Sequence, residues 1–316
     1  MSEILFIKTS SLGDVIHHMP ALTDARRALS DARFSWLVEE AFAPLVRLHP
    51  AVSEVIPVAA RRWRARILAP TTWDEIGGFV RALRGHGYDE IVDTQGLFFK
   101  SALIARMARG RRHGYDASSV RERAAAALYG IRHEVPRNLH AITRNRMLTG
   151  RALGYAPDGP IDFGLSRNRF ADAAATRYGI FFHATARPEK EWPEASWVAL
   201  GRTLRARGLP LVLPWGTEVE RARAERIAAA LADATVLARQ ALDGVARLIA
   251  GAAFVVGVDT GLLHLAAALG VPLVAVFVGS EPGLTGPMGQ GRIAVVGGKE
   301  RMPAVDDVAN ALAQIV

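Results

Sequence analysis

The sequence predicts an α/β protein made of two doubly wound, Rossmann-like domains that face each other across a cleft. Three observations support this fold class. Short apolar runs of strand type alternate with helical patterns in both halves of the chain. The alternation restarts near Gly179 after a segment rich in proline and glycine, and polar turns follow the strands in each half. Parallel sheets with ligand-binding turns at the carboxyl ends of their strands have this pattern.

The first strand leads into the most informative turn of the chain. Apolar residues 4–7 are followed by Lys8-Thr9-Ser10-Ser11-Leu12-Gly13-Asp14 and then by a helical pattern that ends near Leu29. Ser10 or Ser11 can cap this helix, and Gly13 allows close approach of a substrate. Asp14 has two interpretations that the pattern alone does not separate, because the helix dipole favours a carboxylate here as a second cap and also as a functional group.

The rest of the first half has three further strand patterns, and a polar turn, Thr94-Gln95-Gly96-Leu97, follows the last of them. A segment of four arginines around Trp63, at 61–66, has no clear period and reads as a loop or the start of a helix. The densest basic region, 109–145, contains two helical patches, and we expect a linker near 155–168. The predicted strands are 34–38, 55–58 and 88–93. The predicted helices are one that follows Glu39-Glu40 and ends near Pro50, and then 73–83, 100–109, 120–128 and 140–153.

The second half repeats the layout. Its predicted strands end in polar turns that contain His183-Ala184-Thr185, Pro214-Trp215-Gly216 and Asp259-Thr260-Gly261. The strand before Asp259 is wholly apolar, as in a strand buried on both faces of a sheet. The predicted strands are 179–182, 209–213, 254–258 and 273–278, and the predicted helices are 193–207, 218–231, 242–250, 262–269 and 305–315.

Composition narrows the function classes. The chain has 316 residues, 50% of them apolar and 22% charged, with no cysteine, which excludes disulfides and thiolate metal sites. No cleavable signal pattern precedes the first strand, and the long apolar region 252–278 is interrupted by Asp259, His264 and Pro272, so it is not expected to span a membrane. The formal net charge is +8, and residues 61–146 hold 17 Lys and Arg against 8 Asp and Glu. A basic first half suits a phosphate- or carboxylate-rich partner, or reflects an arginine-rich proteome.

Nucleotide-binding motifs of the common kinds are missing. No G-x-G-x-x-G follows the first strand, and the chain has no G-x-x-x-x-G-K-[ST] and no Asp-x-Asp pair, so a dehydrogenase, a P-loop nucleotidase or a metal-bridged diphosphate site is not expected. Phosphate binding would then rest on hydroxyls, cations and backbone amides at a helix N-terminus, from Thr185, Lys190 and 259–261. Glu220 could accept hydrogen bonds from ribose hydroxyls. Each has a plainer alternative, since Asp259 and Thr260 could cap a helix, Lys190 and Glu220 could be exposed, and His264 could be a core histidine.

In combination, these turns resemble the lipopolysaccharide heptosyltransferase I family along the whole chain and in order. The resemblance implies the GT-B fold, with an acceptor-binding domain at 1–160, a nucleotide-sugar domain at 168–304, and a closing helix, 305–316, that can pack back on the first domain. It also implies inverting transfer of L-glycero-D-manno-heptose from ADP-heptose to the Kdo residue of Kdo-lipid A, without an obligatory metal or other cofactor. The matching segments are 8–17, 61–64, 93–97, 183–185, Lys190 with Trp192-Pro193, 213–216, 258–262 and 264–265.

The same resemblance implies roles for individual residues. Asp14 would be the general base. It implies that the acceptor is bound by Ser10, Gly13, Arg61, Arg62, Arg64, Arg121 and Arg144. It implies that the donor is bound by Thr185, Lys190, Glu220, Asp259, Thr260, Gly261 and His264. The chain departs from the family pattern at Ala65, Ala186 and Gln240, where a lysine, a second threonine and a methionine are common.

The expected partners are ADP-heptose, Kdo-lipid A and, transiently, the anionic surface of the inner membrane, with the protein a monomer on the cytoplasmic face. Nucleic acid is not expected, because the arginines are not interleaved with a series of stacking aromatics. Two alternatives stay open at this point. One is a catalytically inactive protein that binds a nucleotide sugar or an anionic headgroup, and the other is a sister enzyme that adds the second heptose.

Overall fold

The computed structural model describes residues 1–170, 178–205, 208 and 210–316. Its chain divides into two compact units, residues 1–164 and 165–316. Each unit is an α/β structure with one parallel six-stranded sheet and helices on its faces. This confirms two doubly wound domains as the fold class.

The first unit alternates strands and helices from its start. Its strands are β1 (Glu3–Ile7), β2 (Arg33–Glu39), β3 (Glu54–Val58), β4 (Gly87–Asp93), β5 (Arg109–Tyr115) and β6 (Ile131–His133). Its helices are α1 (Leu12–Ala28), α2 (Ala43–Val46), α3 (Ala60–Ala65), α4 (Pro70–Gly85), α5 (Leu103–Met107), α6 (Arg123–Ala126) and α7 (Ala141–Leu153), with a 3₁₀ turn at Glu40–Phe42 and a π turn at Phe98–Ala102.

The second unit repeats the alternation with helices between most of its strands. Its strands are β7 (Gly179–Phe182), β8 (Leu211–Leu213), β9 (Ala234–Val236), β10 (Phe254–Val258), β11 (Leu273–Val278) and β12 (Ile293–Gly298). Its helices are α8 (Glu194–Arg205), α9 (Glu218–Ala229), α10 (Leu242–Gly251), α11 (Gly261–Ala268) and α12 (Val305–Ile315), with 3₁₀ turns at Arg167–Arg169, Pro188–Lys190 and Gly283–Thr285.

Both sheets have the same topology. The strand order is β3-β2-β1-β4-β5-β6 in the first and β12-β11-β10-β7-β8-β9 in the second, with every neighbouring pair parallel. Counted within each unit, the first strand lies between the second and the fourth. This is the order of the dinucleotide-binding fold, whose ligands bind where the order reverses.

The central strands explain why these sequences form sheets. Residues 4–7 of β1 and all of β10 are buried, as expected for strands covered by helices on both faces. Around β7 and β10, the second core contains Phe181, Trp192 and Trp197, and the two indole rings lie edge to face with centroids 5.2 Å apart. These packed cores fix the positions of the turns that follow the strands.

Four strands were missing from the sequence prediction. β5 begins Arg-Gly-Arg-Arg, and only its last three residues are buried, so its composition hides its strand character. β6 and β9 have three residues each, and β6, β9 and β12 lie at sheet edges, where half-exposed strands lack a continuous apolar run. Of the predicted strand 209–213, residues 211–213 form β8, and Leu209 lies outside the described residues.

The closing helix packs within the second unit. Val308 and Leu312 of α12 are fully buried in the second core, and the helix contacts α8, β11 and β12. Just before the helix, the Pro303 carbonyl accepts a 3.0 Å hydrogen bond from Trp192 Nε1. The apolar stripe of α12 is therefore satisfied within its own unit.

Leu312→Ala should destabilise the second unit selectively, by about 2–5 kcal/mol, because it opens a cavity in a packed core. Hydrogen exchange along a urea titration, read separately for peptides of β11 and of β1, measures the two units individually. Gln314→Ala, at an exposed position of the same helix, is the control and should change stability by less than about 0.5 kcal/mol. Loss of protection in β1 instead of β11 would contradict this placement of α12.

Candidate active site

A pocket of about 650 Å³ lies at the carboxyl ends of β1, β2 and β4 in the first unit. Of the residues expected near the acceptor, it brings together Ser10, Arg61, Arg64 and Arg121, and the expected general base Asp14 also lines it. The other lining residues are Thr9, Ser11, Glu39, Ala60, Gln95, Leu97, Phe99, Lys100 and Glu122. Four cations and three carboxylates therefore surround one cavity.

Asp14 lies in the first turn of α1 and is half-buried. Its Oδ2 accepts hydrogen bonds from the Ser11 backbone amide (2.9 Å) and the Ser11 hydroxyl (3.0 Å). These bonds fix the carboxylate at the helix N-terminus, as in a capping box. Gly13, which precedes it, is buried. The capping interpretation of Asp14 is thus correct, and it coexists with a position on the pocket wall.

A buried charged network lies behind the turn that follows β1. Lys8 Nζ donates to the Thr94 carbonyl at 2.8 Å and to Asn145 Oδ1 at 3.5 Å. Burial lowers the pKa of the Lys8 ammonium, and the carboxylates of Asp14 and Asp93 oppose that shift. The Lys8 side chain is thus fixed by hydrogen bonds within electrostatic range of Asp14.

Asp93, at the end of β4, holds the neighbouring turn in place. Its carboxylate accepts hydrogen bonds from the Tyr129 hydroxyl (2.7 Å) and the Gln95 amide (2.8 Å). Burial raises the pKa of Asp93, although these donors act in the opposite direction. The Gln95 side chain in turn accepts from the Ser10 amide at 3.4 Å. The turns after β1 and β4 are thereby joined through side chains.

Two of the expected acceptor arginines lie away from the pocket. Arg62 donates to both oxygens of Glu40 (3.1 Å each) and of Glu75 (3.0 and 2.7 Å), so its guanidinium is occupied by two carboxylates. Arg144 lies over the Tyr115 ring, 4.7 Å from its centroid, and donates to the Ser119 carbonyl. Neither side chain lines the pocket.

Several pocket residues were not singled out from the sequence. Glu39, at the end of β2, and Lys100, in the π turn after β4, line the cavity beside Gln95, whose turn the sequence did indicate. Glu39 is buried, and its Oε1 accepts from the Arg61 amide at 3.2 Å. Burial raises the pKa of Glu39, because little solvent reaches its charged form. For Glu39, its place directly after the predicted strand 34–38 was the available signal.

In the second unit, three expected donor residues meet at the carboxyl ends of β7 and β10. Lys190 Nζ pairs with Asp259 Oδ2 at 2.5 Å, and the Thr185 hydroxyl donates to the Asp259 carbonyl at 2.8 Å. Ser280, after β11, also reaches Asp259 Oδ2, at 3.3 Å. A cation, two hydroxyls and a carboxylate thus cluster where the order of the second sheet reverses.

The remaining donor candidates flank this cluster. Thr260 and Gly261 form the start of α11, where backbone amides point out of the helix. Glu220 Oε2 accepts from the amides of Gly216 (2.7 Å) and Thr217 (3.1 Å), so it caps α9 after β8. His264 is buried within α11. The buried ring of His183, which precedes Thr185 by two residues, has its pKa lowered to about 4, because burial disfavours the charged form.

Among the residues that the structure describes, no group of three or more His, Asp or Glu side chains is arranged to hold a metal ion. None of the helices in the described parts of the chain has the length and apolarity that a membrane span requires.

Comparisons with known proteins identify heptosyltransferases as relatives over most of the chain. Residues 76–312 match glycosyltransferase family 9 (heptosyltransferase). Lipopolysaccharide heptosyltransferase 1 of Salmonella typhimurium is 41% identical over 96% of this chain and 97% of its own length, and that of Pseudomonas aeruginosa is 44% identical over 92% and 82%. The Escherichia coli heptosyltransferase WaaC, solved with ADP, is 40% identical with a TM-score of 0.90 over 99% of this chain and 98% of its own. With ADP-2-deoxy-2-fluoro heptose, it is 39% identical with a TM-score of 0.88 over the same shares. The chain belongs to glycosyltransferase family 9, the heptosyltransferases.

Proposed function

We propose that the protein transfers L-glycero-D-manno-heptose from ADP-heptose to the Kdo residue of Kdo-lipid A, with inversion, in the synthesis of the lipopolysaccharide inner core. The observation that carries the proposal is the pocket that Asp14 shares with Arg61, Arg64 and Arg121. A carboxylate beside several cations suits an acceptor that carries both a reacting hydroxyl and anionic groups. Similarity to lipopolysaccharide heptosyltransferase 1 proteins over more than nine-tenths of the chain supports heptose transfer in lipopolysaccharide synthesis.

In this proposal the first unit binds the acceptor. Arg61 and Arg64 of α3 and Arg121, before α6, meet the carboxylate of Kdo and the phosphates of lipid A, since guanidinium groups pair with both. Ser10 lines the pocket beside them, and Gly13 lies buried in the first turn of α1. Lys100, which also lines the pocket, adds a fourth cation.

The chemistry needs one carboxylate. As the acceptor oxygen attacks the anomeric carbon, its proton passes to Asp14, the bond from that carbon to the diphosphate oxygen breaks, and ADP leaves with the electron pair. ADP is a stable anion, so no acid has to protonate it, unlike the leaving group in ordinary glycoside hydrolysis. A single displacement of this kind inverts the anomeric configuration.

The second unit binds the donor. Lys190, the hydroxyl of Thr185 and the start of α11 at Thr260 and Gly261 stabilise the charge that develops on the diphosphate, with no obligatory metal. Asp259 holds Lys190 in position through their 2.5 Å ion pair. Glu220 contacts the ribose, and His264, within α11, is a further donor contact.

Because lipid A is anchored in a bilayer, the proposal includes transient contact of a monomer with the anionic inner face of the inner membrane. The test of the whole proposal is transfer from ADP-heptose to Kdo-lipid A, or to its deacylated form, followed through ADP release. Binding without turnover would favour the alternative of an inactive nucleotide-sugar or headgroup binding protein. Transfer only to an acceptor that already carries one heptose would favour the sister enzyme.

Asp14→Asn should keep ADP-heptose affinity and lose transfer by at least about a hundredfold, because the amide cannot accept the proton. Single-turnover kinetics with titration calorimetry for the donor separates these effects. Asp307→Asn is the matched control, since Asp307 also accepts a backbone amide at a helix start, from Ala304 at 3.2 Å, in α12. Near-normal turnover of the Asp14 variant would refute its role.

Arg61→Ala should raise the KM for the acceptor about 10- to 100-fold, the value of one charge-assisted hydrogen bond, and leave donor affinity unchanged. Steady-state kinetics with each substrate varied in turn measures both quantities. Arg132→Ala, at an exposed position on β6 outside the pocket, is the control. An equal loss of donor affinity would contradict acceptor binding by the first unit.

Lys190→Ala should weaken ADP binding about 10- to 100-fold, because it removes a cation and leaves Asp259 unpaired beside the diphosphate. Calorimetric titration of ADP into the full chain provides the measurement. Lys299→Ala, at an exposed lysine of the same unit, should bind ADP like the parent protein. Unchanged ADP affinity in the Lys190 variant would remove this residue from the donor site.

A further inference from the structure

The turn between α3 and α4 exposes an unusual density of large apolar side chains. Leu68 is 94% exposed, Trp73 59% and Ile67 45%, all within seven residues. Such side chains scattered singly over a surface need no explanation, whereas a cluster on one turn indicates a contact site. We name Ile67, Leu68 and Trp73 the apolar tip.

The tip is an ordered turn. The Arg66 carbonyl accepts the Ala69 amide at 3.0 Å and the Thr72 hydroxyl at 2.8 Å, and the Ile67 carbonyl accepts the Trp73 indole N–H at 3.0 Å. These bonds satisfy backbone and indole polar groups locally. The apolar side chains are thus held outward by a preformed turn, which lowers the entropic cost of binding.

Arginines precede the tip. Residues 60–73 contain four arginines, and Arg64 and Arg66 are exposed. The acidic Asp74 and Glu75 follow Trp73 directly, and Glu75 pairs with Arg62. A surface with protruding apolar side chains beside cationic ones is complementary to a bilayer that contains anionic lipid, where the apolar groups enter the interface and the cations meet the headgroups. This charge pattern favours a lipid surface over a neutral protein partner.

The tip also adjoins the candidate acceptor pocket. Arg61 and Arg64 of α3 line that pocket, and so does Phe99, which is 79% exposed. A lipid acceptor can place its sugar in the pocket only if its acyl chains stay in a bilayer close to the rim. We propose that the apolar tip, with Arg64 and Arg66 next to it in the chain and Phe99 at the pocket, docks the protein on an anionic bilayer surface and presents the pocket to its lipid acceptor. This inference rests on the proposed function for its acceptor, and on exposure and charge for its lipid partner.

Vesicle flotation tests the lipid contact without any turnover. The full chain should bind vesicles of phosphatidylglycerol and phosphatidylcholine and bind pure phosphatidylcholine weakly. The double variant Ile67→Ser with Leu68→Ser should bind the mixed vesicles at least about tenfold more weakly, since burial of one leucine-sized side chain is worth about that factor. Val219→Ser, at a residue 80% exposed on α9 in the second unit, is the matched control and should bind like the parent. Equal binding by the parent and the double variant would overturn the proposal.

Kinetics supplies the second readout. The double variant should lose at least about tenfold in transfer to a vesicle-embedded lipid acceptor and keep its rate on the deacylated acceptor in solution, which also shows that it is folded. An equal loss on both acceptors would place the tip in substrate binding and overturn membrane docking. If the parent transfers to neither acceptor, the proposed function fails, and the flotation result still decides whether the tip binds lipid.

Discussion

The reversal of strand order in each parallel sheet is the constraint on which the rest of the structure depends. In both units the first strand lies between the second and the fourth, so the first and fourth strands are central in the sheet. After these two strands the chain continues toward opposite edges of the sheet. Right-handed crossovers then place the following helices on opposite faces and open a crevice at the strand ends. Asp14 and Gln95 follow the central strands of the first sheet, and Thr185 and Asp259 follow those of the second. The topology of the sheet therefore fixes where polar residues can meet a ligand, and the type of each side chain then determines what it can do there.

The proposed general base Asp14 and the proposed ribose contact Glu220 are both helix caps. Asp14 accepts the amide of Ser11, and Glu220 accepts those of Gly216 and Thr217, so both occupy the first turn of a helix as caps. A cap fixes the carboxylate to rigid backbone, and the helix dipole favours its negative charge. A general base needs both properties, a fixed position and the ionised form. The two interpretations that the sequence leaves open for Asp14 are therefore compatible.

The strands that could be predicted from the sequence are the fully buried ones, because burial requires a continuous run of apolar residues. Strands such as β1, β10 and β11 are continuous apolar runs, and their helices and polar turns were predicted close to the observed bounds. β5 was missed because its arginines point outward from a partly exposed strand, and β6 and β9 because three residues carry no period. The pocket neighbours Glu39 and Lys100 were missed for another reason, because a sequence does not state which strand ends are adjacent.

The arginines of α3 show why charge counted along a sequence differs from charge available at a site. Arg61 and Arg64 are three residues apart and share one helix face, which lines the pocket, whereas Arg62 points elsewhere and pairs with Glu40 and Glu75. Exposed ion pairs of this kind add little stability individually, yet two carboxylates on one guanidinium fix the orientation of the helix. The pocket then has four cations and three carboxylates, a mixed lining instead of a uniformly basic one. A polyanion would be repelled by those carboxylates, whereas a sugar with hydroxyls and few anionic groups can pair with both signs of charge. Recognition therefore depends on the geometry of the pocket more than on the net charge of the chain.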